Sequence, residues 1–405
     1  MRIAFISYEF PPDTGKGGIG TYTKQISTLL AAADCDVHVF CGTDLSSYRN
    51  DLGDIKVHKV NCIDVLDFRT KVLSVFSAEQ YIKAFQIIES PEIHGNAWEI
   101  KKSFPQIPLI VRLHAPNYLV EHLKKRYTGL FSKFRYVAGS IRRGKFDLGY
   151  WRKYDYLNDA DFQFTKIANS ITAPSETMKQ WAVKHWHLIS EDLTVIANPF
   201  IPAKTLLEIP INERVGKNEI LFFGRLNVLK GLVNGTYAMK KILERFPDYH
   251  FTVIGDDGPG PRAGETMKEW MQKKLRNVIN NVSFYDGQDY EKLPAAISNA
   301  TIALLPSLFE SFSYTCAEAM SAGKAIVGSS DTGMEDLIVN NYSGLLVNAE
   351  NKEEIYAAIK KLITNKDLRY SISNSARKSI STAFTGNSLA NTYINYYKKI
   401  AVLVG

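Results

Sequence analysis

The chain has 405 residues, which is too long for one ordinary domain, so two domains of about 200 residues each are expected. Apolar residues make up 45% and charged residues 22% of the chain, values that fit a soluble globular enzyme. No run of about 18 or more apolar residues occurs, so no transmembrane helix is expected, and the net charge of +7 is modest.

The cysteines and the first residues indicate a cellular compartment. Cys35, Cys41, Cys62 and Cys316 form no C-x-x-C pair, which argues against a structural zinc site or a disulfide framework. The chain opens with MRIAFISYEFPP, enters a predicted strand at once, and lacks the longer apolar region and cleavage site of a signal peptide. We therefore expect a protein of the reducing cytoplasm.

Apolar runs alternate with stretches of helical length along the chain. In the first half the predicted strands are 2–7, 36–40, 107–115, 169–175 and 193–199. In the second half they are 219–226, 250–257, 282–287, 301–307, 324–330 and 344–347. This alternation indicates βαβ units and parallel sheets. The predicted fold class is α/β, with two doubly wound, Rossmann-like domains facing each other across a cleft.

The boundary between the domains is expected near Asn198-Pro199, where proline disfavours continued regular structure and a polar stretch follows. This predicts an N-terminal domain over 1–198 and a C-terminal domain over 199–385. The last segment, 386–405, has apolar residues at helical spacing and is expected to pack back towards the N-terminal domain.

A glycine-rich loop follows the first predicted strand, in the segment YEFPPDTGKGGIGTY (8–22). Its glycines are Gly15, Gly17, Gly18 and Gly20. They leave the backbone free to approach a ligand, and a helix is expected from about residue 19. The first βα loop of a doubly wound domain is a frequent phosphate site, whereas an isolated glycine loop is more often a tight turn. No G-K-[ST] follows, so this is not a Walker loop.

A second candidate phosphate site opens the second half, in FFGRLNVLKGL (222–232). Arg225 stands at the carboxyl end of a predicted strand, and Lys230 stands at the start of the next helix. A guanidinium fork and an ammonium group at this spacing suit a diphosphate. Isolated arginines and lysines are more often simply solvated.

Two glutamates, Glu310 and Glu318, stand eight positions apart in PSLFESFSYTCAEAMSAG (306–323). Glu310 follows the predicted strand 301–307, and Glu318 lies about two turns further along a predicted helix. Ligands of open α/β sheets bind at that edge. Two carboxylates and a helix N-terminus there suit a polyhydroxylated, phosphorylated ligand. The alternative is one solvated and one capping glutamate.

These motifs occur in a recognisable order: GGIG near the N-terminus, His114 after a strand, GRL-x4-KG, VIGDDGPG, and E-x7-E followed by AMSAG. In this the chain resembles a retaining glycosyltransferase of family 4 (glycosyl transferases group 1), which has the GT-B fold. The resemblance covers nearly the whole chain and is most specific over 219–347. It implies that a sugar is transferred from a nucleotide-diphosphate donor with retention at the anomeric carbon.

The resemblance also implies roles for individual residues. Arg225 and Lys230 would hold the diphosphate of the donor. Glu310 would contact the hydroxyls of the transferred sugar, and Glu318 those of the ribose. The catalytic residues would be His114, near the sugar, and Glu310. Further donor-binding residues would be Gly17, Gly18, Phe312, Ser313, Tyr314 and Thr315. Many relatives carry glycine where this chain has Ser313.

No metal or other cofactor is expected. The leaving diphosphate needs its charge stabilised, and Arg225, Lys230 and helix N-termini supply positive charge for that. Asp256-Asp257 is the nearest candidate for a metal site, but a turn is the favoured interpretation. With no carboxylate convincingly placed as a covalent nucleophile, the family resemblance implies attack on the same face, assisted by a diphosphate oxygen.

A basic stretch lies between His122 and Phe146, with eight basic and no acidic residues. The basic residues are Lys124, Lys125, Arg126, Lys133, Arg135, Arg142, Arg143 and Lys145. Apolar residues recur there at helical spacing, at Tyr127, Leu130, Phe131, Phe134, Val137 and Ile141. Such a segment could lie on an anionic membrane or grip a phosphorylated or lipid-diphosphate acceptor. It could equally be a helix whose apolar face meets the core. Nucleic acid is not expected, since no recognised module accompanies the charge.

The expected reaction is transfer from a UDP- or GDP-linked sugar to a hydroxyl of a glycan or lipid-linked acceptor, in cell-envelope polysaccharide or lipopolysaccharide biosynthesis. The expected location is the cytoplasm, extending to the inner face of the plasma membrane. Alternatives are a nucleotide-sugar epimerase on the same architecture, a silent sugar-nucleotide binding protein, and a transferase with a soluble small-molecule acceptor.

Overall fold

The structure of the protein is a computed structural model that describes residues 1–15, 17–151, 154–211, 218–262, 264–287, 293–384 and 386–404. Its strands are β1 (Arg2–Ile6), β2 (Asp36–Thr43), β3 (Tyr48–Leu52), β4 (Ile55–Asn61), β5 (Ile87–Pro91), β6 (Leu109–Arg112), β7 (Ser170–Ala173), β8 (Leu193–Val195), β9 (Glu219–Phe223), β10 (His250–Ile254), β11 (Val282–Tyr285), β12 (Ile302–Leu305), β13 (Ala325–Ser329) and β14 (Leu345–Val347).

The helices alternate with these strands along the chain. They are α1 (Gly18–Ala31), α2 (Val65–Ile82), α3 (Trp98–Ser103), α4 (Asn117–Tyr127), α5 (Leu130–Arg142), α6 (Ala160–Lys166), α7 (Glu176–Trp186), α8 (Lys204–Leu207), α9 (Leu232–Arg245), α10 (Met267–Leu275), α11 (Leu293–Asn299), α12 (Tyr314–Ser321), α13 (Lys352–Thr364), α14 (Lys366–Ala383) and α15 (Asn387–Val404).

The chain forms two compact units. The first comprises Met1–Asn117, Asp155–Ile201 and Phe384–Gly405, and the second comprises Tyr118–Tyr154 and Pro202–Ala383. The sequence-based domains ended instead at 198 and 385, and they placed 118–154 in the first domain. The difference arises because α4 packs on the second unit, where Arg126 pairs with Glu350 at 2.7 Å and Tyr127 lies against the core.

The first unit is built on a sheet with the strand order β3-β4-β2-β1-β5-β6-β7-β8. All neighbouring strands run parallel except β3 and β4, which pair antiparallel. Every residue of β1, β5 and β6 is buried, as expected for strands covered on both faces. The order reverses direction between β1 and β5, which makes a topological switch point there.

A buried polar cluster joins α15 to this sheet. Glu89 of β5 accepts hydrogen bonds from the hydroxyls of Tyr22 (2.6 Å) and Tyr397 (2.5 Å), and Tyr393 donates to the carbonyl of Ala197 at 2.8 Å. Arg112 of β6 is fully buried and donates to the main-chain oxygen of Ile196 at 2.6 Å. The pKa of the Glu89 carboxyl is raised by burial, against the opposing effect of Arg112.

The second unit contains a sheet with the order β11-β10-β9-β12-β13-β14, parallel throughout. Renumbered within the unit this is 3-2-1-4-5-6, the order of a doubly wound dinucleotide-binding fold. Buried side chains of β9, β10 and β12 pack with those of α9, α10 and α13 in one core. Two parallel α/β units therefore confirm the predicted fold class.

Three strands of the first unit were not predicted. In β3 every residue is exposed, so it lacks the apolar pattern of a strand. The run of β4 is broken by buried His58 and Lys59, and β5 by Glu89 and Ser90. These polar residues are buried because they find partners far away in sequence, such as Asp13 for Lys59 at 2.6 Å.

We predict that Tyr397→Phe destabilises the first unit by about 1–3 kcal/mol, because buried Glu89 loses one of its hydrogen-bond donors. Urea denaturation of wild type and variant measures the loss. Tyr370→Phe, at an exposed tyrosine of α14, is the matched control and should be within about 0.5 kcal/mol of wild type. Equal losses in both variants would contradict a specific role for the Tyr397 hydroxyl.

Candidate active site

An ion pair lies at the switch point of the second unit, where β9 and β12 end. Lys230 Nζ is 2.6 Å from Glu310 Oε1, and Ser307 Oγ donates to the same oxygen at 2.8 Å. Lys230 ends a short 3-10 turn after β9, and Glu310 lies in the loop after β12. The structure thus brings together two predicted site residues that stand 80 positions apart in the sequence.

The two loops that carry this pair are fixed to each other through the main chain. The N–H of Leu308 donates to the carbonyl of Leu229 at 2.8 Å. Gly231 has φ +67°, and a Cβ there would lie 1.6 Å from the Pro306 carbonyl oxygen, so only glycine fits. The Asn227 side chain caps the turn by accepting from the Lys230 N–H at 3.2 Å. The Lys230 side chain is therefore held on a rigid base.

Asn227 and Ser307 are site residues that the sequence analysis missed. Asn227 had a usable signal, because asparagine three residues before Lys230 is a typical N-cap. Ser307 had none, since its partner Glu310 is recognised only when the loop conformation is known.

Arg225 follows β9 on the same edge of the sheet, and its side chain is exposed. No hydrogen bond or ion pair joins it to the part of the chain that the structure describes. The backbone around it is closely packed: Gly255 has φ +157°, and a Cβ there would lie 1.8 Å from the Gly224 carbonyl oxygen. The Arg225 fork is thus free to bind an anion while its backbone is held.

Asp256 and Asp257 follow β10 and form hydrogen bonds that hold the loops after β9 and β10. The carbonyl of Asp256 accepts from the Leu226 N–H at 2.8 Å. The Asp257 carboxylate accepts from the N–H groups of Gly258 and Lys268, both at 3.0 Å. The Asp257 side chain therefore holds a turn, as the sequence analysis expected.

Helix α12 begins beside the Glu310 loop. Ser313 is its N-cap, with Oγ accepting from the Cys316 N–H at 3.3 Å and lying 3.1 Å from Thr315 Oγ1. Ser313 has φ −99°, which residues other than glycine readily adopt, so the backbone does not require a glycine at this position. Phe312 is buried and packs edge-on against Tyr314. The N–H groups of Tyr314 and Thr315 in the first turn remain outside this capping bond.

Glu318 lies further along α12 and is buried. Burial raises the pKa of its carboxyl to about 8, so the group is largely protonated at neutral pH. Its carboxyl makes no hydrogen bond or ion pair with any residue that the structure describes.

In the first unit, the predicted glycines lie at the start of α1. Gly17 is the N-cap and Gly18 the first helical residue. A Cβ on Gly18 would meet no atom within 4 Å, so the space beside it is open. The preceding loop is anchored by Asp13, whose carboxylate pairs with buried Lys59 at 2.6 Å and accepts from Thr43 Oγ1 at 3.0 Å.

His114 follows β6 in the same unit and is buried. Its main-chain N–H donates to Glu92 Oε1 at 2.9 Å. Its ring packs edge-on against Tyr22 of α1, with 5.2 Å between the ring centroids. Burial, with a smaller effect of Arg112, lowers the pKa of the imidazole to about 3. His114 is therefore neutral at physiological pH. Its ring has one nitrogen that can donate a hydrogen bond and one that can accept a hydrogen bond, and it carries no charge.

Two buried carboxyls that the sequence analysis missed hold the His114 loop. Glu92 accepts from the His114 N–H, and burial raises the pKa of Glu92 to about 8. Asp161 accepts from the N–H groups of His94 at 3.0 Å and Asn117 at 2.9 Å. No local pattern marks either residue, because each acts across a loop from another part of the chain.

One group in the described part of the chain brings three metal-binding side chains together: His38, His58 and Glu79. His38 Nδ1 and His58 Nε2 face each other at 2.9 Å, so the lone pair of one nitrogen accepts the proton of the other. The Arg2 guanidinium is also only 2.9 Å from Glu79 Oε2. The cluster lies near the amino ends of β1 and β2, away from the candidate site, and its donor set does not favour a cation.

Solved structures with the same fold include a sucrose-phosphate synthase from Thermosynechococcus elongatus. It superposes with a TM-score of 0.72 at 16% identity, and the alignment covers 99% of both chains. The two units, with their sites at the carboxyl ends of parallel strands, are those of a GT-B glycosyltransferase.

Family comparisons match nearly the whole chain. The "Glycosyltransferase Family 4" model matches residues 16–204, and "Glycosyl transferases group 1" matches residues 205–379. The chain belongs to glycosyltransferase family 4, which confirms the resemblance. It is 24% identical to an uncharacterized glycosyltransferase of Methanocaldococcus jannaschii over 100% of both chains. It is 22% identical to a glycogen synthase of Mycobacterium tuberculosis over 98% of this chain and 94% of that one.

We predict that Glu318→Gln changes how stability depends on pH. The folded pKa of about 8 lies above the ordinary value of 4.5, so between these pH values the native state keeps a proton that the unfolded chain has released. The contribution of Glu318 is thus fully present below pH 4.5 and is lost as pH rises through 8.

Relative to Glu318→Gln, wild type should lose at most about 5 kcal/mol over this range, because each pKa unit corresponds to about 1.4 kcal/mol. Urea titrations of both proteins at several pH values measure the difference. Glu335→Gln, at an exposed glutamate of the same unit, is the control. Parallel pH profiles for wild type and Glu318→Gln would show that Glu318 is not proton-linked.

Proposed function

We propose that the protein is a retaining glycosyltransferase that uses a nucleotide-diphosphate sugar, with UDP- or GDP-linked sugars as the favoured donors. The observation that carries this proposal is the Lys230–Glu310 pair beside the N-terminus of α12, at the switch point of the second unit. A cation and a helix N-terminus suit the diphosphate, and a carboxylate suits sugar hydroxyls.

The donor would be bound by the second unit. Lys230 and the exposed Arg225 would hold the diphosphate, together with the N–H groups of the first turn of α12. Glu310 would accept hydrogen bonds from the sugar hydroxyls. The buried Glu318 carboxyl, which has no partner among the described residues, would take the ribose hydroxyls. Gly17, Gly18 and His114 of the first unit would serve the sugar and phosphate, His114 as a neutral ring.

The chemistry would consist of charge stabilisation at the leaving group. Breaking the sugar–phosphate bond places negative charge on the diphosphate, where Lys230 and Arg225 supply positive charge. We propose that no metal is needed for this step. A diphosphate oxygen would help to remove the proton of the acceptor hydroxyl, which attacks the face that the diphosphate leaves. Isolation of a glycosyl–enzyme adduct on a side chain would contradict this mechanism.

We predict that one nucleotide diphosphate raises the melting temperature of the protein, because a ligand that binds only the folded state stabilises it. UDP, GDP and ADP are compared by thermal shift. Lys230→Ala should greatly reduce the shift, since it removes one of the two cations, Lys230 and Arg225, that would hold the diphosphate. Lys241→Ala is the matched control, because it removes a lysine that pairs with a glutamate at the same 2.6 Å on the surface of the unit. No shift with any nucleotide would count against the donor site.

We predict that Glu310→Ala lowers transfer at least about 100-fold while nucleotide binding persists, because the proposed role of Glu310 is to contact the sugar and not the nucleotide. Transfer is followed by release of the nucleotide diphosphate with each candidate acceptor, and wild-type transfer should continue in EDTA. Glu353→Ala, which removes the surface partner of Lys241, is the control. Near wild-type transfer by Glu310→Ala would remove Glu310 from the mechanism. Conversion of the donor without acceptor would indicate an epimerase instead.

We further propose a glycan or lipid-linked acceptor, in the synthesis of a cell-envelope polysaccharide such as lipopolysaccharide. The support is the basic stretch between His122 and Phe146, which suits phosphorylated or lipid-diphosphate acceptors and a cytoplasmic membrane face. Supplying a lipid-linked acceptor in place of a soluble sugar should then raise the rate of transfer, and equal rates would favour a soluble acceptor.

A further inference from the structure

An apolar stripe on α5 is exposed. Its members are Leu130 (67% exposed), Phe131 (81%), Phe134 (64%) and Ile141 (57%). Positions 130, 134 and 141 fall on one side of a helix, with Phe131 at its margin. The sequence left open whether this apolar face meets a core, and in the structure it does not. The core contacts of this segment come from α4 instead, through Leu119, Leu123 and Tyr127.

The opposite side of α5 is covered by the chain that follows it. Tyr136 donates to the Asp147 carboxylate at 2.8 Å, and the Asp147 N–H donates to Ser140 Oγ at 3.2 Å. Gly149 lies so close to the Tyr136 ring that a Cβ would be 2.3 Å from it. This turn also carries exposed Phe146 and Leu148. The end of the turn also reaches the stripe, where Trp151 lies 5.2 Å from Phe134 between ring centroids, and Phe134 is nevertheless 64% exposed.

Basic side chains flank the stripe. Arg135 and Arg142 lie two helical turns from each other along one border, and Lys133 lies on the other border. Arg143 and Lys145 follow at the helix end. None of these five forms an ion pair with the described residues, and no acidic residue occurs between His122 and Phe146. These five positive charges are therefore not paired within the part of the chain that the structure describes.

We infer that the stripe and its basic border form a docking surface for an anionic lipid bilayer, into whose headgroup region Phe131, Phe134 and Ile141 insert. Apolar side chains bordered by arginine and lysine match the boundary between acyl chains and anionic headgroups. A second copy of the chain is disfavoured as the occupant, because it would present the same positive charge. No helix in the described part of the chain is long and apolar enough to span a membrane, so the contact is interfacial.

The inference deepens the proposed function, since it rests on that proposal for its choice of a lipid-linked acceptor, but it is tested without any transfer reaction. Flotation with vesicles of phosphatidylcholine and phosphatidylglycerol is compared with flotation on phosphatidylcholine alone. Wild type should bind the anionic vesicles, and added salt should weaken the binding. Failure to bind the anionic vesicles would overturn the inference.

Two pairs of variants separate the charged border from the apolar stripe. Arg135→Gln with Arg142→Gln should lower vesicle partition about 25-fold, at roughly 5-fold for each charge. Lys398→Gln with Lys399→Gln removes two exposed charges from α15 and should bind like wild type. Phe131→Ser with Ile141→Ser should reduce binding to the anionic vesicles to the level that wild type shows with phosphatidylcholine alone. Ile63→Ser with Leu66→Ser changes exposed residues elsewhere and should bind like wild type.

Binding that is equal in all four variants would overturn the inference. So would self-association in sedimentation velocity that Phe131→Ser with Ile141→Ser abolishes, because the face would then join copies of the chain. The nucleotide-dependent thermal shift, measured on the same samples, verifies folding. Vesicle binding without that shift would reject the donor proposal alone, and the shift without vesicle binding would reject the docking surface alone.

Discussion

Parallel pairing of the strands is the constraint from which the candidate site follows. A parallel sheet places the carboxyl ends of its strands, and the amino ends of the following helices, at one edge. In the second unit this edge holds Arg225 and Lys230 after β9, Glu310 after β12, and the start of α12. In the first unit it holds the start of α1 and His114. Residues distant in sequence become neighbours because topology, and no local signal, brings them to one edge.

Burial of carboxyl groups recurs in both units, and the partners distinguish the roles. Glu89 is satisfied by two tyrosine hydroxyls, one of them from α15, so it joins distant elements of the first unit. Glu92 holds the His114 loop through a main-chain N–H. Glu318 is buried as well, although it is 8% exposed against 2% for Glu89 and 0% for Glu92, and its carboxyl has no partner among the described residues. Of the three, Glu318 is the carboxyl that no described residue engages, and for this reason we assign it to the ribose hydroxyls in the proposed function.

The sequence predicts the parallel architecture well, because βαβ units can be recognised from local apolar runs that are separated by glycine-containing turns. It also places Lys230 and Glu310 in the loops after β9 and β12, where the structure has them. It fails at β4 and β5, where buried His58, Lys59 and Glu89 break the apolar pattern. The sequence also does not identify the supporting residues Glu92, Asp161 and Ser307, because no local pattern marks them. Glu92 and Asp161 are defined by contacts with residues distant in sequence, and Ser307 is defined by the conformation of its loop. Hydrophobic periodicity indicates neither.

The Lys230–Glu310 pair suggests how the proposed donor site is preorganised. At 2.6 Å, and with Ser307 on the same oxygen, the carboxylate and the ammonium group each satisfy the other while no donor is bound. The main-chain bond between Leu308 and Leu229 fixes their loops, so little conformational entropy remains to be lost on binding. A diphosphate would compete with Glu310 for the ammonium group, and the carboxylate would turn to the sugar hydroxyls. A single ion pair would thereby position both the cation for the diphosphate and the carboxylate for the sugar, and neither charge would be left unpaired.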